Sequence, residues 1–141
     1  MPTNLITIEA MTTEDYDDAV RLWQEIPELR TVPFFDTRER IAAYLARNPG
    51  LSSIARADGR IVGTVLCSYD GRRGHLIHMG VAPAYRKQGI ARRLVERCLE
   101  ELRAVGIDTV ALYTNSPVAS AFWQHLGFEI APNIAYYSRS F

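Results

Sequence analysis

The sequence predicts a mixed α/β (α+β) domain in which a mixed, largely antiparallel sheet of six to seven strands is flanked by about four helices. Three observations carry this. Segments of strand length alternate apolar and polar residues or run apolar throughout. Between them lie segments whose apolar residues recur at helical spacing. Strands also outnumber the helical crossovers available to join them, which an all-parallel sheet does not allow. At 141 residues the chain fits one domain over 1–141, long enough for a sizeable core and too short for two.

Residues 5–9 alternate like a half-buried strand. Thr12 or Thr13 can cap a helix opening with Glu14 and Asp15, and Ala19, Leu22, Trp23 and Ile26 supply its apolar face. Pro27 and Pro33 bracket a loop before Asp36 or Thr37 caps a second helix, with Ile41, Tyr44 and Leu45 facing inward and Asn48-Pro49-Gly50 ending it. Strands at 52–57 and 60–69 are joined by Asp58-Gly59, a tight-hairpin signal. A third strand over 75–81 follows the turn at 70–74. The longest helix covers 89–105, with Ile90, Leu94, Cys98, Leu102 and Val105 in one stripe and an alternating Arg/Glu face toward solvent. Gly106 stops it. A strand at 109–113, a helix at 117–126 and one or two strands within 128–141 complete the order β-α-α-β-β-β-α-β-α-β-β.

Sixteen basic residues balance sixteen acidic ones, which argues against a general nucleic-acid binder with its basic footprint. No apolar run approaches the roughly 18 residues of a membrane span. Met1-Pro2-Thr3-Asn4 carries no signal-peptide pattern, so a cytoplasmic protein is expected. Cys67 and Cys98 sit in apolar surroundings and read as reduced packing residues. Three scattered histidines offer no metal-ligand spacing, and no metal is expected.

The most informative stretch is 81–91, Val-Ala-Pro-Ala-Tyr-Arg-Lys-Gln-Gly-Ile-Ala, between a strand and the longest helix. The first N–H groups of a helix have no internal partner and the dipole places positive charge there, so a strand–turn–helix of this kind can hold an anion. Gly89 lets backbone approach a phosphate, Ala91 leaves the first turn uncrowded, and Arg86 and Lys87 add charge. A P-loop is excluded because no Gly-Lys-Ser/Thr ending places a hydroxyl for magnesium. A dinucleotide fingerprint is excluded by the single glycine.

These residues resemble a known family. Arg86-Lys87-Gln88-Gly89-Ile90-Ala91 is similar to the Arg/Gln-x-x-Gly-x-Gly/Ala turn of the GNAT acetyl-CoA-dependent N-acetyltransferases, and Gly80-Val81-Ala82-Pro83 to the Val-x-Pro strand end before it. Downstream, Asn115, Ala119, Phe122, Trp123, Leu126, Gly127 and Phe128 resemble the family's Asn…Ala…Phe/Tyr…Leu-Gly-Phe helix. The turn Asp70-Gly71-Arg72-Arg73-Gly74 resembles an Asp-Gly-x-Arg-Gly turn of a small bacterial subgroup.

The resemblance implies acetyl-CoA as cosubstrate, with CoA as product, held where two parallel strands splay apart. Met79, Gly80 and Val81 then offer unpaired backbone to the pantetheine arm, and the N–H groups of Lys87, Gln88, Gly89, Ile90 and Ala91, with Arg86 beside them, hold the pyrophosphate. Asn115 either bonds the cofactor arm or caps the following helix. Trp123 replaces the tyrosine that often protonates the leaving thiolate, and either shapes the tunnel or leaves the acid to Tyr113, Tyr136 or Tyr137. His78 is the candidate general base, with a packed strand histidine as the other reading; His75 and Asp70 are weaker candidates. The acceptor, a small-molecule or peptide amine, is expected against Trp23, Arg30, Phe34, Phe35, Tyr69, Arg72 and Tyr136, with Phe34-Phe35 as a lid. A module that keeps the CoA cleft for sensing or association is the competing reading. Monomer and homodimer both stand open.

Overall fold

A computed structural model describes residues 5–29, 34–114 and 116–141. Five strands form one sheet in the order β1-β2-β3-β4-β5. They are β1 (Ile6–Ala10), β2 (Ser53–Ala57), β3 (Arg60–Tyr69), β4 (Gly74–Val81) and β5 (Val110–Ala111). The first four pair antiparallel and β5 joins β4 in parallel, so the sheet is mixed as expected. Asp58 and Gly59 both take positive φ, 51° and 77°, the conformation a two-residue hairpin needs.

The helices are α1 (Tyr16–Glu25), α2 (Arg38–Arg47), α3 (Ile90–Ala104) and α4 (Pro117–His125), with 3₁₀ turns at Thr13–Asp15 and Pro83–Tyr85. Of the two caps the sequence offered α2, Thr37 is used: its side chain accepts from the Arg40 N–H. Side chains alternate faces along β3, and this places the helices. A Cβ on Gly63 would lie 3.0 Å from Leu94 of α3, while the next residue, Thr64, bonds Trp23 of α1. The two helices therefore cover opposite faces. Leu94, Cys98 and Leu102 are buried from one side, Ala19, Leu22 and Trp23 from the other. Cys67 and Cys98 are free and buried, as expected. The neighbouring Cys98 thiol and burial together push the Cys67 thiol well above the usual range.

Two expectations need correction. The sheet has five strands, not six to seven, and no strand forms within 128–141. The expected strand at 109–113 shortens to Val110–Ala111. These shortfalls are linked. A two-residue outer strand offers almost no ladder for a further strand to join, and Pro132, which has no N–H to donate, sits in a turn inside the segment.

Candidate active site

Strand β4 carries the irregularity that builds the site. In its pairing with β3, Thr64 faces Gly80 and Leu66 faces Ile77, so His78 and Met79 together oppose the single residue Val65. That is a β-bulge, and it re-aims side chains that strand alternation would send to opposite faces. Ile77 and His78 accordingly line the same cavity. His78 takes φ of +54°, a left-handed conformation that costs a non-glycine residue about 1–2 kcal/mol.

Neighbouring groups hold this conformation. The Trp23 indole N–H donates to Thr64 Oγ1 at 2.9 Å, and the Thr64 hydroxyl donates to the His78 carbonyl at 2.8 Å. The Trp23 ring also meets the imidazole edge to face, with centroids 4.7 Å apart. On its other side, His78 Nε2 lies 3.0 Å from Asp36 Oδ1, an ion-pair distance that is off the line of a well-formed hydrogen bond. A bare imidazole lone pair and a carboxylate repel at that separation, so a proton belongs between them; we assign it to Nε2, which leaves Nδ1 as the acceptor. Asp36 is 7% exposed, and its backbone carbonyl accepts from the Tyr16 hydroxyl.

Two cavities meet at this strand. The smaller, about 440 Å³, lies against α2. Phe35, Ile41, Tyr44 and Ile77 give it an apolar wall, and Asp36, Arg40 and His78 are its polar members. Burial pushes the Tyr44 hydroxyl's pKa upward, and the hydroxyl lies near Ser68 outside regular hydrogen-bond geometry. The larger, about 2530 Å³, is the cleft where β4 and β5 part. Their ladder holds only Gly74 with Val110 and His75 with Ala111, and beyond it the strands diverge. Among the described residues, only Ile77 and His78 line both cavities.

At the far end of the large cleft stands the turn into α3. Lys87 and Gly89 take left-handed φ of 64° and 78°, and Gly89 is the N-cap. A Cβ on Gly89 would meet nothing within 4 Å, so that side is open to a ligand. The first intrahelical bond runs from the Arg93 N–H to the Gly89 carbonyl, leaving the preceding N–H groups without helical partners. Arg86 Nε donates to the Val81 carbonyl at 3.0 Å, tying the turn back to β4.

Of the expected cofactor residues, Met79, Gly80, Val81, Arg86, Lys87, Gly89, Ile90, Ala91 and Trp123 line the large cleft; Gln88 sits in the same turn without lining it. Asn115 and Arg30 lie outside the described residues. Ser116 caps α4 by accepting from the Ala119 N–H. Trp123 is buried between Phe122 and Phe128. Tyr136 is 70% exposed, lines the cleft and meets the Tyr113 ring at a tilt, with centroids 5.1 Å apart. Phe35 lines the small cavity, with Phe34 packed against it at 5.5 Å and the Arg40 guanidinium 4.5 Å above the Phe34 ring. Tyr69 packs on the core, and Arg72 pairs with Asp70 at 3.0 Å; neither lines either of these two cavities. Asp36, Thr64 and Ile77 were missed by sequence reasoning. The signal for Asp36 was the doublet Asp36-Thr37: one helix needs one cap, which leaves the other polar residue for different work.

The site is thus an open parallel strand pair leading to a glycine-capped helix start, with a second cavity across the strand. The Acetyltransferase (GNAT) family matches residues 9–128, and the chain belongs to that family of acyltransferases. Solved structures share the fold. PaiA N-acetyltransferase from Thermoplasma acidophilum, in complex with coenzyme A, superposes with a TM-score of 0.82 at 17% identity, covering 92% of this chain and 93% of that one. A predicted acetyltransferase from Clostridium acetobutylicum with acetyl-CoA gives 0.77 at 18%, covering 95% and 96%. The aminoglycoside N-acetyltransferase AAC(6')-Iy in complex with CoA gives 0.74 at 22%, covering 98% and 97%.

Proposed function

We propose that the protein moves an acetyl group from acetyl-CoA to a primary amine of a small molecule or peptide, by direct attack in a ternary complex. The observation that carries this reading is His78 standing in the walls of both cavities. A thioester in the large cleft and an amine in the small cavity approach the same imidazole from two sides.

The pantetheine arm lies along the open side of β4 at Met79, Gly80 and Val81, as an added strand lies on a sheet edge. Its pyrophosphate sits on the N–H groups from Lys87 to Ala91, with Gln88 in the turn and Arg86 and Lys87 supplying charge. Trp123 walls the cleft, and Asn115 belongs to the same proposal.

An alkylamine has a reference pKa of about 10.4 and arrives as ammonium. His78 takes its proton, directly or through water, and the freed nitrogen attacks the thioester carbonyl. Backbone N–H near Val81 polarises that carbonyl. The C–N bond forms, the C–S bond breaks, CoA leaves as a thiolate, and the second proton lost from the nitrogen goes to that thiolate or to water. A thiolate of reference pKa about 8.5 leaves without obligatory acid help, so Trp123 in the tyrosine's place is tolerable. Tyr136 is the candidate donor where one is used. Phe34 and Phe35 cover the acceptor.

A weakly catalytic module that binds CoA or a protein partner is the second reading, favoured by the absence of an ionisable donor at Trp123. Calorimetric titration with acetyl-CoA and CoA, followed by thiol release on adding amines, separates the two. Binding with amine-dependent thiol release supports transfer. Binding without release under any amine supports the module. No binding of either overturns transfer and leaves a module whose ligand is a protein partner.

A further inference from the structure

We propose that the acceptor is a small monoamine with an aromatic or branched aliphatic body, and that Arg40 excludes polycationic amines. This rests on the small cavity being the acceptor side of the transfer proposed above.

The cavity's chemistry sets the class. About 440 Å³ is the scale of a pocket for one small molecule. Phe35, Ile41, Tyr44 and Ile77 surround it with apolar surface, and apolar surface selects a ligand that buries carbon rather than hydroxyls. A sugar or an extended polyamine brings polar groups that this wall leaves unpaired, and each unpaired group costs binding.

Charge narrows the class further. Among the described residues lining the cavity, Asp36 is the one carboxylate and it already faces His78. One ammonium brought to Asp36 and His78 is matched. A second ammonium finds Arg40, whose guanidinium stands over the Phe34 ring at the rim. Like charges there repel, so amines with two or more positive charges are disfavoured by the same residue that leaves monoamines untouched. The bulge on β4 is what makes this possible. It turns His78 into the cavity beside Ile77, placing the group that takes the proton next to an apolar contact.

The test uses the intact protein with saturating acetyl-CoA and four acceptors: 2-phenylethylamine, 3-methylbutylamine, spermidine and kanamycin. The first two are expected to give kcat/KM about tenfold or more above the others. Arg40 is exposed, and Arg40→Glu is expected to raise the spermidine to 3-methylbutylamine ratio of kcat/KM by about tenfold. Ile77→Asp is expected to raise KM for both apolar amines by about tenfold. Spermidine or kanamycin matching the apolar amines in the unaltered protein overturns the inference, as does an unchanged preference in both variants. A second readout is independent of turnover. Adding 2-phenylethylamine without acetyl-CoA should shift the amide resonances of Ile77 and His78, and spermidine should not. Those shifts with no thiol release from any amine sustain the cavity's preference for apolar monoamines as ligands while sinking the transfer reading and, with it, their role as acceptors. Thiol release without those shifts, and without the amine preference, does the reverse.

Discussion

Trp23 and His78 are joined twice, by an edge-to-face ring contact at 4.7 Å and through Thr64, which accepts from the indole and donates to the His78 carbonyl. A buried core tryptophan thus holds the backbone and the ring of a residue in the wall of both cavities. The sheet bulge supplies the position, and this bonding offsets its conformational cost.

Thr64→Val keeps the shape and removes the hydroxyl from a fully buried site. Two polar groups, the Trp23 N–H and the His78 carbonyl, then lose a partner, at about 2–3 kcal/mol together. We expect a Tm lower by about 6–12 °C and reduced turnover. Thr64→Ser retains the hydroxyl and should recover most of both, which thermal melts and a thiol-release assay can check.

His78→Gln removes the proposed base and retains a side chain able to hydrogen-bond. General-base catalysis is worth about 10²–10⁴-fold, so kcat should fall by that range while the calorimetric Kd for acetyl-CoA stays within about twofold. Equal loss of both would make His78 a cleft-wall residue only.

In the proposed transfer, Asp36 acts through His78, 3.0 Å away. Asp36→Asn preserves volume and removes the charge, and the expected result is a fall in kcat of about tenfold or more with little change in acetyl-CoA affinity. The ¹⁵N shifts of the His78 ring should report a changed proton distribution over its nitrogens. A core-packing role alone would lower Tm and leave those shifts in place.

Gly80 and Gly89 are required for opposite reasons. A Cβ at Gly80 would sit 2.4 Å from Leu29 Cδ1 and 2.9 Å from Ile26 Cδ1, both side-chain tips, so Gly80→Ala displaces the segment after α1 at a cost of about 1–2 kcal/mol. At Gly89 there is open space but a φ of +78°, so Gly89→Ala costs about 1 kcal/mol in backbone strain. Its methyl would stand in the proposed pyrophosphate site, and acetyl-CoA affinity should drop by about tenfold or more. Denaturant melts and calorimetry on the two variants should show the first mainly as lost stability and the second mainly as lost binding.

Periodicity and turn chemistry made most of the fold legible. The hairpin at Asp58-Gly59, the stripe of α3 and the glycine-capped turn are local signals, and each element stands where they put it. The strands expected within 128–141 failed because pairing is not local: apolar residues there satisfy a strand pattern, but the short β5 gives them no ladder. The site divides in the same way. The turn at 86–91 is readable from one stretch of chain. The bulge depends on a register between β3 and β4, and the approach of Asp36 to His78 joins residues 42 positions apart, so neither leaves a mark on alternation.

Asp18 ties α1 to β3 and makes the fold sensitive to acid. Its carboxylate accepts from the Ile61 N–H at 2.8 Å and from Arg21 Nε at 2.7 Å, while Arg21 donates onward to the Ile61 carbonyl at 2.8 Å. Burial alone would raise the carboxyl's pKa, but the Ile61 N–H and the Arg21 guanidinium outweigh it and hold it below the usual 3.8. A folded pKa below the unfolded one means that the unfolded state takes up the proton first. The stabilisation is therefore complete above the unfolded value and disappears as pH falls through the folded one. Asp18→Asn should cost about 1 kcal/mol at pH 7, a modest figure because both partners are partly solvated. The gap between the two proteins should persist to about pH 5, narrow below 4, and close in stronger acid. Urea midpoints measured from pH 7 to pH 3 check this, and a gap independent of pH would mean that packing, not the carboxylate, carries Asp18's contribution.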